Sequence, residues 1–354
     1  LAVQVLSDRE ETRQTHVLER GVWDAKGSKV QPGVLPAVLP WAPDKATNRL
    51  DLAHWLTSPD NPLTARVVVN HLWQMIFGAG LVRTPEDFGL QGEQPTHPQL
   101  MDWLAVELLE SGWNLRHLLR LMVSSDTFRQ GSAMTAAMLE RDPDNRLLAR
   151  ALRYRLPAWM LRDAALAASG LLNAALGGPP VKPYQPEGVW QEIFMGRFTY
   201  KPSVGPAQYR RTLYAYWRRS SAPTFLFDSA QRRVCEVRTR RTNTPLQALT
   251  LLNDQTMLES SRVLAEKSQT RTEFLPWMAK RILGRSLLAK EVLVFQRAFD
   301  KAVAWYQEHP LDAKKLLTTG QQRAPEDAAE WPSISGAMVV ASMLLNLDEA
   351  ITHE

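Results

Sequence analysis

A mainly α fold, with helical blocks flanking a small irregular β or coil region, is what this sequence predicts, on three observations. Apolar residues recur at helical spacing through much of 47–178 and 243–354. Capping residues precede several of these runs, twice with proline directly behind them. Between the runs, 179–242 loses the helical period and gathers prolines, glycines and aromatic side chains.

In chain order, 1–46 is expected to be an extended segment. THVLERG reads as a short strand, and VQPGVLPAVLPWAP reads as polyproline-like chain laid over a surface. Asn61-Pro62 is a cap followed by an N1 proline, opening a helix that closes at Gly78. This helix is apolar nearly all round, which marks it as buried. Thr96 is expected to cap HPQLMDWLAVELLE, which Gly112 ends, and Asn114 to cap LRHLLRLMVSSDTF. Such short links favour antiparallel neighbours in a bundle. Asp144–Arg155 and the alanine-rich Pro157–Leu176 read as two further helices. GGPPVKPYQPEG is the clearest break, and TLYAYW (Thr212–Trp217) is the best strand of the region behind it. Helices resume at Thr244-Pro245, again a cap plus proline. The expected organisation is thus an extended segment 1–46, a helical block 47–178, an irregular Arg-rich region 179–242 and a helical block 243–354, together one composite domain.

With 45% apolar and 22% charged residues over 354 positions, the chain has an ordinary globular composition, which excludes a disordered or fibrous protein. A single cysteine, Cys235, allows no internal disulfide and no cysteine-rich metal site, and is expected to be a free thiol. The longest apolar stretch, Ala337–Leu347, is about half of what a membrane span needs. The chain opens on LAVQVLSDREETRQTH, without an initiator methionine or an apolar leader, and is expected to be a piece of a longer protein. The net charge of +5 is unevenly spread: Lys201–Thr242 carries +8 and the remainder −3.

Arg66, Asn70 and Gln74 form a polar stripe on the helix that follows Asn61-Pro62. A buried guanidinium requires a carboxylate, and Asp87 is the nearest, with Glu93 second. Arg66, Asn70 and Asp87 are therefore expected to form a structural polar network fixing the loop to the bundle, the alternative being a ligand site. Asp87-Phe88-Gly89 is not a kinase motif, since no glycine-rich loop, strand lysine or HRD segment precedes it. His97 and Asp102 stand five positions apart, roughly 140° around a helix, so one helix does not make them a dyad. Asp87, His97 and Asp102 remain the weak catalytic candidates, as acid–base groups of a glycan hydrolase or lyase. No HxxxH, HExxH, G-x-S-x-G, P-loop or dinucleotide pattern occurs, and no metal site is expected.

The segment CEVRTRRTNTPLQALTLLND places Arg238, Arg240 and Arg241 before a capped helix whose free amides also favour anions. With Asn243 and Gln247, these arginines are the candidate ligand-binding group for sulfate, phosphate or carboxylate. The competing reading is an arginine cluster paired with acids from elsewhere in the protein. Asn253-Asp254 reads as an ordinary helix end.

The block running from NRLDLAHWLTSPDNPLTARVVVNHLW through EDFGL to LRHLLRLMVSSDTFRQ, together with RTRRTNTPLQALTLLND, resembles a planctomycete secreted domain of unknown function, family 1553. THVLERG at the start and SMLLNLDEAI near the end resemble the same family, so the likeness spans nearly the whole chain. It implies export to the periplasm or cell surface and upstream domains as partners, c-type haem among them. With one cysteine, no CxxCH haem attachment is available in this chain, so no cofactor is expected here. The family's association with sulfatase-like proteins implies an accessory or binding role toward anionic, sulfated polysaccharide. Two alternatives stand beside it: the glycan hydrolase or lyase, and a scaffold docking an upstream cytochrome. No recognised nucleic-acid module is present.

Overall fold

The computed structural model describes residues 5–7, 11, 13–41, 48–193, 195–218, 222–223, 225–228, 236–238 and 241–353; Cys235 and Arg240 lie outside them. Among the described residues there are fourteen α-helices and two small two-stranded sheets, so the fold is mainly α. The chain divides into two compact units, Leu1–Ala151 and Leu152–Glu354.

The first unit begins with an antiparallel pair, β1 (Thr15–Leu18) and β2 (Lys26–Val30), with Thr15 opposite Val30. Five helices follow: α1 (Arg49–Thr57), α2 (Thr64–Phe77), α3 (Pro98–Glu110), α4 (Leu115–Ser124) and α5 (Ala136–Arg141). Its core joins Ala65, Val69 and Trp73 of α2 to Leu104 and Leu108 of α3 and Leu118 and Met122 of α4. Asn114 caps α4 by accepting from the His117 amide at 3.1 Å. Asn61 likewise takes the amides of Leu63 and Thr64, although α2 proper starts at Thr64.

Several expectations need correction here. Thr96 is not the cap of α3; His97 holds that position and makes no side-chain cap. Helix α2 is not buried all round, since Met75 is 66% exposed; its inward face is the Ala65–Val69–Trp73 stripe with Asn70. Arg66 is neither buried nor paired with Asp87. Its side chain is 37% exposed and bonds Asp102, on the neighbouring α3, at 2.7 Å. Asp87 instead accepts from the Gly89 amide at 2.7 Å in its own turn. Asn70 does hold the loop: its side-chain amide donates to the Val82 carbonyl at 3.0 Å and accepts from the Val82 amide at 2.8 Å.

The second unit contains β3 (Tyr154–Arg155), α6 (Ala158–Ser169), α7 (Val189–Ile193), α8 (Pro245–Asn253), α9 (Gln255–Ser268), α10 (Phe274–Leu283), α11 (Ala289–Glu308), α12 (Pro310–Leu317), α13 (Trp331–Leu345), α14 (Asp348–Ile351) and β4 (Thr352–His353). Helix α13 packs against both α9 and α11, and α6 lies on α9. The apolar run Ala337–Leu347 is thus mostly central-helix sequence, with Ala337, Val340, Ala341 and Leu344 wholly buried. Gly336 permits the α11 contact, since a Cβ there would stand 2.7 Å from Val303 Cγ2. Thr244 and Gln247 form a reciprocal capping box at the start of α8.

The expected helix at 144–155 is absent. Asp142 accepts from the amides of Arg146 and Leu147, each at 2.8 Å, and Asn145 and Leu148 take positive φ, so local side-chain bonds displace the helical ladder. Helix α6 stops at Ser169, well short of Leu176, because Gly170 adopts the left-handed conformation. Thr212–Trp217 is not a strand: Thr212–Tyr214 is a 3-10 turn, followed by an isolated bridge from Ala215 to Val181. Among the described residues no helix is long and apolar enough to cross a membrane.

Candidate functional site

The expected catalytic trio is not assembled by contacts among the described residues. Asp87 serves its turn, His97 Nδ1 meets the adjacent Thr96 hydroxyl at 3.0 Å, and Asp102 holds Arg66. Glu93 pairs with Arg146 at 2.8 Å. All of these lie in the first unit; the hollows lined by Arg155, by Asp163 and by Asp254 belong to the second.

Of the expected anion-binding group, Arg241, Asn243 and Gln247 join a knot of rings and cations around β3 and the start of α8, and Arg240 lies outside the described residues. Arg155, 8% exposed, donates from Nη1 to the Asn243 side-chain oxygen at 2.6 Å and lies 5.5 Å from the Phe227 ring centre. Its Nε and Nη2 are buried without a hydrogen-bond partner. Arg241 lies over the Tyr154 ring at 4.1 Å, and Tyr154 stacks on His353. Gln247 is tied down, donating to Thr242 Oγ1 at 2.8 Å and to Asp228 at 3.2 Å. Arg155, Arg241 and Asp228 share a hollow of about 20 Å³, room for about one water. Burial pushes the Arg155 guanidinium below its ordinary value while Asp228 opposes it. Burial also lowers His353, helped by Arg241. Arg238 is exposed. Asn243 and Gln247 thus bond within the knot, and Arg155, absent from the sequence-based candidates, is buried in it.

A small core of Ala158, Phe225 and Leu226 with Trp217 and Phe227 also adjoins an open cleft of about 290 Å³. Trp159, Trp217, Leu213 and Leu226 supply its apolar surface, and Asp163 and Arg211 its charges. Trp159 is 39% exposed, high for so large an apolar ring. Asp163 is oriented by Thr212, whose amide and hydroxyl both donate to Oδ1, at 2.8 and 2.6 Å. Beside it, Arg162 is almost wholly buried and donates to the carbonyls of Gln208 and Arg210 and to Thr212 Oγ1. Burial lowers the Arg162 guanidinium, and Asp163 and then Asp254 oppose that shift.

A second cleft, of about 620 Å³, opens where α8 meets α9. Leu249 and Asn253 line it from α8, Asp254 and Gln255 from the junction, and Tyr184 and Gln185 from the facing loop. Asp254 caps α9, its Oδ1 accepting the amides of Thr256 and Met257 at 2.9 and 3.3 Å. Burial raises the Asp254 carboxyl above its ordinary value, with Arg162 and the two amides pulling the other way. Tyr184 is 5% exposed, and its hydroxyl donates to Glu259 Oε2 at 3.0 Å. Glu259 is fully buried; Oε1 accepts from the Tyr209 hydroxyl at 2.9 Å and from the amides of Gln321 and Gln322, both at 2.7 Å. Burial, followed by the Glu259 charge, raises the Tyr184 phenol.

Aromatic residues interleave the basic window, and several of its cations are already engaged by them. Arg210 lies over Tyr214 at 3.8 Å and donates to the carbonyls of Pro179, Ala175 and Gly177. Lys182, outside the window, sits likewise among Phe198, Tyr200 and Tyr216 at 5.4 to 5.9 Å. Sequence counting could not separate these internal cations from Arg211, which is exposed at the 290 Å³ cleft. Trp159 and Asp163 could have been found as a ring and a carboxylate on an otherwise alanine-rich helix.

Among the described residues, no group of three or more His, Cys, Asp or Glu side chains could hold a metal ion. Residues 48–299 match the model of a protein family described as PSD1, protein of unknown function (DUF1553). The match covers most of the chain and includes both long blocks picked out above; THVLERG and SMLLNLDEAI fall outside it. No curated protein and no solved structure matches.

Proposed function

We propose that this chain, which belongs to the DUF1553 family of proteins of unknown function, binds an anionic glycan through its second unit. One observation carries the reading: the 290 Å³ cleft is lined by one exposed and one half-buried indole beside an oriented carboxylate and an exposed guanidinium. Sugar rings present C–H faces that pack on indole, and hydroxyls that bond to carboxylates. Arg211 suits a sulfate or carboxylate substituent, because a guanidinium fork matches planar and tetrahedral oxygens. Near the Ala158–Phe225–Leu226 core, Arg241 offers a further cation to a chain of sugars, and Arg238 and Arg240 belong to the same stretch of sequence. On this reading the unit is an accessory domain of a secreted, c-type haem-linked protein of the planctomycete kind, acting on sulfated polysaccharide.

The test is binding of sulfated, uronic and neutral oligosaccharides to the full chain, read by calorimetry. A sulfated or uronic ligand should bind, weaken as ionic strength rises, and weaken about tenfold in Trp159→Ala and in Arg211→Gln. Equal affinity in both variants, or binding confined to neutral sugars, overturns the proposal. Arg241→Gln separates the two clusters: it should lower affinity for long chains more than for single sugar units.

A further inference from the structure

The 620 Å³ cleft at the α8–α9 junction has a different chemistry from the tryptophan cleft. Its volume lies within the range of small-molecule sites. Among the described residues no lysine, arginine or histidine lines it; their polar groups there are the carboxyl of Asp254, the hydroxyl of Thr250 and the amides of Gln185, Asn253 and Gln255. Each amide offers both a donor and an acceptor, which suits a ligand rich in hydroxyls rather than a charged one. Leu249 and the Tyr184 ring add apolar surface.

The cleft is also held in shape. The Asp254 amide donates to the Thr250 carbonyl of α8 at 2.7 Å, while its side-chain Oδ1 accepts two amides of α9. Its orientation is therefore set by both helices. On the opposite wall Tyr184 is fastened through Glu259 to Tyr209 and to two backbone amides. Burying a carboxylate this fully is a poor way to gain stability, and positional specificity is the better-attested return.

We propose that this cleft is a separate site for an uncharged, polyhydroxylated ligand of mono- to disaccharide size, oriented by Asp254 with Asn253 and Gln255. It would let one unit grip a neutral sugar at a place distinct from the anionic substituent bound beside Trp159. The inference adds to the glycan reading, but its residues are different, so the two can fail separately.

The experiment is saturation-transfer difference NMR on the full chain with galactose, mannose, xylose, N-acetylglucosamine and their β-linked disaccharides. At least one probe should receive saturation. Asn253 and Gln255 are exposed, so Asn253→Ala and Gln255→Ala leave the fold intact and should each weaken that probe about tenfold. Asp254→Asn keeps an oxygen for the α9 amides and should weaken it at least as much, whereas Trp159→Ala should leave it unchanged. If no probe receives saturation, if the Asn253 and Gln255 variants bind as the parent does, or if Trp159→Ala alone abolishes the signal, the inference fails. In the last case the sugar belongs to the tryptophan cleft, and the glycan proposal stands without this one.

Discussion

Removing the Glu259 side chain is the sharpest perturbation of the second unit. In Glu259→Ala two tyrosine hydroxyls and two backbone amides lose their common acceptor, and Arg262, fully buried with Nη2 3.9 Å from Glu259, loses one of its two acidic neighbours. Counting each bond to a charged acceptor separately would overstate the effect, because the four share one carboxylate. The better guide is the cost of breaking a buried charged pair, about 3–5 kcal/mol. That is a large part of the 5–15 kcal/mol that typically holds a domain together. Arg262 keeps Glu266 and the carbonyls of Gln322 and Arg323, which argues for the lower half of the range. Glu259→Gln is the control. Its amide oxygen can take over the three Oε1 bonds, and its nitrogen can donate to the Tyr184 hydroxyl, so about 1–2 kcal/mol is expected. Urea unfolding followed by circular dichroism gives both values from shifts in midpoint at constant slope. An alanine variant costing under about 1 kcal/mol, or a glutamine variant as damaged as the alanine one, would refute the reasoning.

Four other outcomes are expected. Arg66→Ala should cost no more than about 1 kcal/mol by thermal unfolding, because its pair with Asp102 is half in solvent. Asn70→Ala should be far worse, about 1–3 kcal/mol for each Val82 backbone group left buried without its partner. Gly336→Ala should cost about 1–3 kcal/mol by pressing a methyl into Val303 and Phe299 of α11, and an unchanged melting temperature would contradict that contact. Arg285, through paired bonds, and then the Leu288 amide hold the Glu291 carboxyl down to about 2, from an ordinary 4.5. Because the folded value is depressed, its stabilisation is complete above 4.5 and fades as pH falls toward 2. Melting curves of the parent and Glu291→Gln should therefore differ at neutral pH and converge in acid.

The elements most legible in the sequence are those whose signals are local. Asn114 and the Thr244–Gln247 box cap the helices they precede, and the apolar spacing of α3 and α4 survives into the core. What escaped depends on partners distant along the chain. Asp87 is nearer to Arg66 in sequence, but Asp102 lies on the helix packed beside it. TLYAYW has the side chains of a strand, yet Thr212 is fastened to Asp163, forty-nine positions earlier, and the backbone turns instead. At 144–155 the helical pattern lost to Asp142 and Asn145, whose side chains bond the backbone directly. The candidate sites show the same division. The basic window was visible as charge, but which cations rest on rings and which face solvent is decided by folding. Asn253-Asp254 looked like a helix end and is one; that a cleft opens over it depends on Tyr184 and Gln185, some seventy residues earlier.

The pairing of Asn70 with Val82 also has a kinetic meaning. A single side-chain amide occupies both backbone groups of a residue that belongs to no strand, and Leu81 beside it accepts from the Thr96 amide at 2.9 Å. The Val82 proton can leave for solvent only when α2 lets go of it. In deuterium exchange this position should behave as part of the helix, a slow amide set among the faster ones of its loop, and it should report on the cooperative opening of the α2–α3 core.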